Sequence, residues 1–130
     1  TMSIFYEIEF AKYILPYLET LLAEKLQTVL ARGILNTRMR DFYDLYELTS
    51  VYKDKIDQLL LKDAFHATCT KCGSLLLLTT GPQIISALQQ DSHLMEMWKS
   101  YQQKYSYANE ISYIDIMQCT QNLYEVVSRM

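Results

Sequence analysis

Leu18, Leu21, Leu22, Leu26, Val29 and Leu30 recur at three- and four-residue spacing, and no glycine or proline interrupts them before Gly33. Apolar residues at that period line one side of an α-helix, and a glycine just past the last of them supplies a stop. Breakers are scarce everywhere: 130 residues contain three Gly and two Pro, while half of the residues are hydrophobic. A chain of this length and apolar content builds one core, not two. The expected fold class is therefore mostly α, a helical bundle of about five to six helices.

Further along, "GILNT" (33–37) reads as a loop, after which Thr37 or Asn36 can cap a second helix carrying Phe42, Leu45, Tyr46 and Leu48. Two helices joined so closely are expected to form an antiparallel hairpin. A third helix is expected from about Lys53 to Cys72, ending at Gly73. The run Leu75 to Leu78 fits a short helix or a strand, because brief apolar runs carry no decisive period. "GPQIISALQQ" and "DSHLMEMWKSYQQKY" read as one helix or two, with Pro82 near a start and Asp91 or Ser92 as an internal cap. Ser112, with Asp115 three residues on, opens a last helix to about Ser128. Only the beginning breaks the pattern. "SIFYEIEF" alternates, with Ile4, Tyr6, Ile8 and Phe10 on one side, which is the period of a half-buried strand. A lone strand cannot satisfy its own backbone, so it requires partners from elsewhere.

The net charge of −3 gives no global attraction for nucleic acid, so any anion must be held by a local cluster. No stretch reads as a signal peptide or a membrane span, and three cysteines cannot all pair within one chain. A soluble, cytoplasmic protein without a membrane partner is the expectation. Cys69-Thr-Lys-Cys72 is a single C-x-x-C, and even with His66 nearby it lacks the second pair that zinc requires, so no metal site is expected. Tyr101, Tyr105, Tyr107, Tyr113 and Tyr124 have the shape of stacking platforms, but no arginines are interleaved with them in sequence. Packing is their expected role.

Charge on the inward side of the first two helices is the anomaly. At 100° per residue, Lys25 falls between Leu21 and Leu22, and Arg32 lies two turns on along the same edge. Asp41 falls between Leu45 and Leu48, with Asp44 one turn away. A charge at such a position needs a partner. In an antiparallel hairpin Lys25 and Asp44 each lie roughly two turns, about 10 Å, from the connecting loop, so they are expected to meet, with Asp41 in reach. Arg38 and Arg40 occupy a helix's first turn, where the dipole disfavours cations, so something negative should compensate them. Two readings follow: a lysine-aspartate pair stitching two helices together, or cations that hold a polyphosphate while an aspartate orients a reacting group.

The stretch "YLETLLAEKLQTVLARGILNTRMRDFYDLYEL" (17–48) resembles the AbiEii/AbiGii family of nucleotidyltransferase-like toxins, whose signature is an "AEKL…R…TRxRDFYDLY" block. "ATCTKCGS" (67–74) is similar to that family's "ATxxKRGS", and "MWKSYQQKYSYANEISYIDIM" (97–117) to its "LWxxYxxKxxYAxxISF". In the first of these the cysteines replace residues that are not cysteine in the family.

The resemblance implies a toxin of abortive phage infection that transfers a nucleotide from NTP, with Mg, to an acceptor such as tRNA, and that is controlled by an antitoxin. It also implies that Lys25, Asp41 and Asp44 are catalytic, and that Arg32, Arg38 and Arg40 bind nucleotide or phosphate. The family's metal-binding pattern, a Gly-Ser turn followed by D-x-D, does not occur; Gly73-Ser74 is the only Gly-Ser. The chain thus reads as the C-terminal helical half, a single domain over residues 1–130. Residues 1–12 would be the trailing strand of the absent nucleotidyltransferase sheet and 17–130 the helical domain. With the missing N-terminal domain as a partner it would contribute to transfer; alone it is expected to be inactive and without cofactor. Exposed apolar surface would then favour a homo-oligomer. The alternative is a non-enzymatic helical module that contacts an antitoxin, a partner domain or RNA.

Overall fold

The structure, a computed structural model, describes residues 11–129. Six α-helices run through them: α1 (Leu18–Arg32), α2 (Met39–Val51), α3 (Gln58–Cys72), α4 (Leu77–Gln90), α5 (Ser92–Lys104) and α6 (Tyr113–Ser128). The fold is the expected helical bundle. The strand read in "SIFYEIEF" lies outside the described residues. Ala11 and Lys12, assigned to the same strand segment, are helical, and the run through Ile14 passes by a 3-10 turn at Leu15–Tyr17 into α1. A helix satisfies backbone groups within its own segment, whereas a strand there would need a partner.

The leucine stripe makes α1 the axis of the bundle. Leu18, Leu22, Ala23, Leu26, Val29 and Leu30 are buried, and α3, α2 and α4 pack around them. α6 forms a second axis against α2, α3 and α4, while α5 lies at the side against α2 and α6. Burial of a whole leucine side chain is worth about 1.5–3 kcal/mol, so the four buried leucines of the α1 stripe contribute substantially to stability.

Local chemistry sets the ends. Gly73, at φ 66° and ψ 32°, closes α3 in the left-handed conformation that glycine adopts without penalty. The α6 capping box is complete: the Asp115 N–H donates to Ser112 Oγ at 3.0 Å, and the Ser112 N–H donates to Asp115 Oδ2. Asp91 caps α5 by accepting the Leu94 N–H, so the 81–105 segment is two helices.

Three boundaries depart from the sequence reading. α3 begins at Gln58 and not at Lys53, because Lys53–Lys55 form a 3-10 turn and Asp57 Oδ1 accepts the Leu60 N–H as the cap. That start is fixed from a distance: the buried Glu19 carboxylate of α1 accepts the Asp57 N–H at 2.9 Å. Neither Asn36 nor Thr37 is the cap of α2. Arg38 takes the cap position, and Asn36 Oδ1 braces the turn before it by accepting the Arg38 N–H at 2.9 Å. Finally, α4 begins at Leu77, a turn ahead of Pro82. The missing proline N–H removes one helical bond on an exposed side, while Leu77, Gly81, Ile85 and Leu88 continue a buried stripe past it.

Gly81 of α4 lies directly against the Tyr124 ring of α6. A Cβ built there would fall inside the Tyr124 ring's contact distance. That ring is buried, and its hydroxyl donates to the Leu77 carbonyl at 2.9 Å, so it is not free to swing away. Alanine gains about 1 kcal/mol in helix propensity, but overpacking costs about 1–3 kcal/mol. Gly81→Ala is expected to lower the urea midpoint despite its better propensity. A raised midpoint would show that the two helices can move apart at no cost.

Candidate functional site

α1 and α2 form the expected antiparallel hairpin, and their inward charges meet. Lys25 Nζ donates to Asp44 Oδ2 at 2.7 Å and lies 3.9 Å from Asp41 Oδ1. Arg40 Nε donates to the other Asp44 oxygen at 3.0 Å, four residues along the same helix. Arg38 Nε stands 3.6 Å from Asp41 Oδ2, an ion pair too long to be a hydrogen bond. That oxygen is buried with no hydrogen-bond partner among the described residues, and so is Nδ2 of the neighbouring Asn36.

Exposure grades the cluster from inside to outside. The Asp41 side chain is 4% exposed, Asp44 18% and Lys25 22%, whereas Arg38 and Arg40 reach 58% and 66%. The carboxylates are anchored in the hairpin, and the cations carry the charge to the surface. The hydrogen bond and charge of Asp44 hold the Arg40 guanidinium more firmly protonated than usual. Three cations against two carboxylates leave one positive charge in excess, in a chain whose net charge is −3. Five of the six residues singled out from sequence thus converge. Arg32, exposed at the end of α1, makes no ion pair with the cluster.

The tyrosines pack, as their sequence reading expects: Tyr124 lies in the core, Tyr101 and Tyr113 pack against it, and Tyr105 and Tyr107 join Tyr101 in an aromatic row. Trp98 is buried and stacks on Tyr101 at 5.3 Å between centroids. Tyr101 in turn meets Tyr105 at 4.7 Å, and Tyr107 lies 4.6 Å from Tyr43 of α2. The Tyr101 and Tyr107 hydroxyls share a hydrogen bond of 2.7 Å. This aromatic row flanks Arg40, so the arginine that is not interleaved in sequence is interleaved in space. Burial pushes the Tyr101 and Tyr43 phenols up, which keeps them uncharged at neutral pH.

The C-x-x-C divides between two environments. Cys69 is in the core, where burial pushes its thiol up, and Cys72 is exposed. Among the described residues no group of three or more His, Cys, Asp and Glu side chains is placed to hold a metal ion. Asp41 and Asp44 are committed to Lys25 and the arginines, so the donors present do not fit the Mg site that the family implies, and no metal-dependent step is assigned to them. Among the described residues no helix is long and apolar enough to cross a membrane.

The family model described as nucleotidyl transferase AbiEii toxin, type IV TA system, matches residues 8–118. The chain belongs to this family. No curated protein and no solved structure matches it. AbiEii membership places the chain among the toxins of toxin–antitoxin systems and implies an antitoxin partner. The matched segment contains all six helical-face charges discussed above, from Lys25 to Asp44.

Proposed function

We propose that this chain is the helical part of an AbiEii nucleotidyl transferase, and that Lys25, Arg38 and Arg40 bind the phosphates of the incoming nucleotide. The observation that carries this reading is the surplus of cations over Asp41 and Asp44 at the surface end of the α1–α2 hairpin. Asp44 holds Lys25 and Arg40 extended and pre-oriented, which spares the reorganisation that a solvated cation would need. Asp41, 4% exposed beneath Lys25 and Arg38, would complete the site by holding these two cations in place. Arg32 would act, if phosphate extends that far, as an outer contact. The metal-binding carboxylates and the nucleotide's Mg would come from a catalytic domain outside these 130 residues, because no D-x-D follows a Gly-Ser here.

The isolated chain is expected to transfer no label from NTP to tRNA, and to support transfer when combined with a nucleotidyltransferase domain of the family. Metal-dependent incorporation by the 130 residues alone would overturn this division of labour. A second reading, a helical module that docks on an antitoxin or a partner domain, is favoured by the exposed Leu35, Leu59, Leu75 and Leu76.

A further inference from the structure

The C-terminal half of α2, the turn ahead of α3 and one side of α6 enclose an open cleft of about 450 Å³. None of Lys25, Arg38, Arg40, Asp41 and Asp44 lines it. Its floor is apolar: Leu61 and Leu123 are buried, and Ile56 and Val126 pack half-buried against the core. The amides of Gln58, Gln118 and Asn122 stand exposed at its rim. Lys53 and Asp115 are the charged residues that line it, one of each sign, and neither makes an ion pair among the described residues. A site with no surplus of charge offers a phosphate no advantage.

The polar groups at the rim are set by helical spacing. Gln118 Nε2 donates to Asn122 Oδ1 at 2.9 Å, which leaves Gln118 Oε1 as an acceptor and Asn122 Nδ2 as a donor. Residues four apart on a helix are separated by about 6 Å along its axis. An extended chain repeats its N–H and C=O groups along one edge about every 6.7 Å, so the two free amide ends match a peptide edge. Deeper in, the Thr49 hydroxyl gives its one proton to the Leu45 carbonyl at 2.7 Å, so in its 3.2 Å contact with Cys119 the thiol is the donor. Burial pushes that thiol up, and the floor stays uncharged at neutral pH.

Apolar surface continues past the rim. Val51, Leu59 and Ile114, each next in sequence to a lining residue, are 59%, 70% and 77% exposed. A small molecule held in the cleft would leave them in water, whereas a chain crossing it has further side chains to set against them.

We propose that this cleft binds a short, extended and uncharged peptide segment of a protein partner, with an apolar side chain on the Leu61–Leu123 floor and backbone amides on Gln118 and Asn122. An apolar floor inside a polar rim is the anatomy of an interface core. Main-chain hydrogen bonds give such a segment affinity, and the seated side chain gives it specificity. The cleft shares no residue with the proposed phosphate cluster, so the inference neither requires nucleotidyl transfer nor falls with it.

The test is a titration of the isotope-labelled chain with N-acetyl-leucyl-valine N-methylamide, followed by amide proton–nitrogen NMR. Shifts are expected at millimolar probe within residues 49–61 and 115–126 and not in the first turn of α2. Free leucyl-valine, charged at both ends, is expected to bind about tenfold more weakly, because its charges lose hydration without finding a surplus of opposite charge. Gln118→Ala combined with Asn122→Ala, at exposed positions, is expected to lower affinity for the capped probe about tenfold while the remaining resonances keep their dispersion. Shifts elsewhere on the molecule, or none, would overturn the proposal. So would equal binding of the capped and charged probes, or affinity unchanged in the double variant. Cleft shifts that grow with protein concentration in the absence of probe would give the site to a second copy of this chain and overturn it as well.

Discussion

Lys25→Met is expected to leave an AbiEii enzyme folded and to reduce its nucleotidyl transfer about 10²–10³-fold, the usual loss when one pre-oriented charge-stabilising group is removed. The geometry makes the stability cost moderate. Removing one partner of a buried pair costs about 3–5 kcal/mol when the other charge is left alone. Here neither aspartate is left alone: Asp44 keeps Arg40 at 3.0 Å, and Asp41 keeps Arg38 at 3.6 Å. What remains is the loss of one charge-assisted hydrogen bond between part-exposed groups, about 1–2 kcal/mol. A fall in melting temperature of about 3–8 °C follows. Meanwhile the cluster loses its surplus positive charge, and phosphate affinity falls with it. Thermal melting of the variant chain and transfer assays in the full enzyme are the two measurements. A drop of 3–5 kcal/mol, with activity declining only in step with the folded fraction, would assign Lys25 to the hairpin and not to a phosphate.

Trp98→Ala is expected to be the most destabilising single change outside α1, at about 3–5 kcal/mol. The side chain is 1% exposed and its Nε1–H donates to the Ile111 carbonyl at 2.9 Å. The hydrogen bond is the smaller part of the loss. Gln102 Nε2 donates to the same carbonyl at 2.6 Å and stays when the indole is removed, so no buried acceptor is orphaned. The cost is therefore that of a cavity, and it should shrink to about 1–2 kcal/mol in Trp98→Phe, which refills most of the space. Denaturant titration of the two variants separates these terms. Equal losses in both would show that the hydrogen bond, not the volume, is what Trp98 contributes. Because Trp98 supports Tyr101 from below, the alanine variant also tests whether the outer tyrosines keep their places.

The ion-paired hairpin was legible because it depends on local periodicities. The 3.6-residue period of α1 and the apolar positions of α2 place Lys25 and Asp44 inward, and a short loop brings positions equidistant from it together. The 2.7 Å contact is the result. The same holds for the Ser112–Asp115 capping box and for the left-handed stop at Gly73, which are properties of a few consecutive residues. The family resemblance was likewise carried by contiguous motifs, and the family match spans them.

What could not be read lies between segments distant in the chain. Glu19 fixes the start of α3 by accepting the Asp57 N–H, 38 residues on, and no local signal distinguishes it from a solvated glutamate. Pro82 fails to mark a helix start because the buried stripe from Leu77 to Leu88, pressed against α6, outweighs one missing hydrogen bond. Arg40 and the tyrosines of the α5–α6 region look unrelated in sequence, yet packing of α5 on α2 sets them side by side. Helical period fixes which side chains share a face. Which faces then meet is decided by the packing of the whole core, where many small contact energies are summed over all six helices at once.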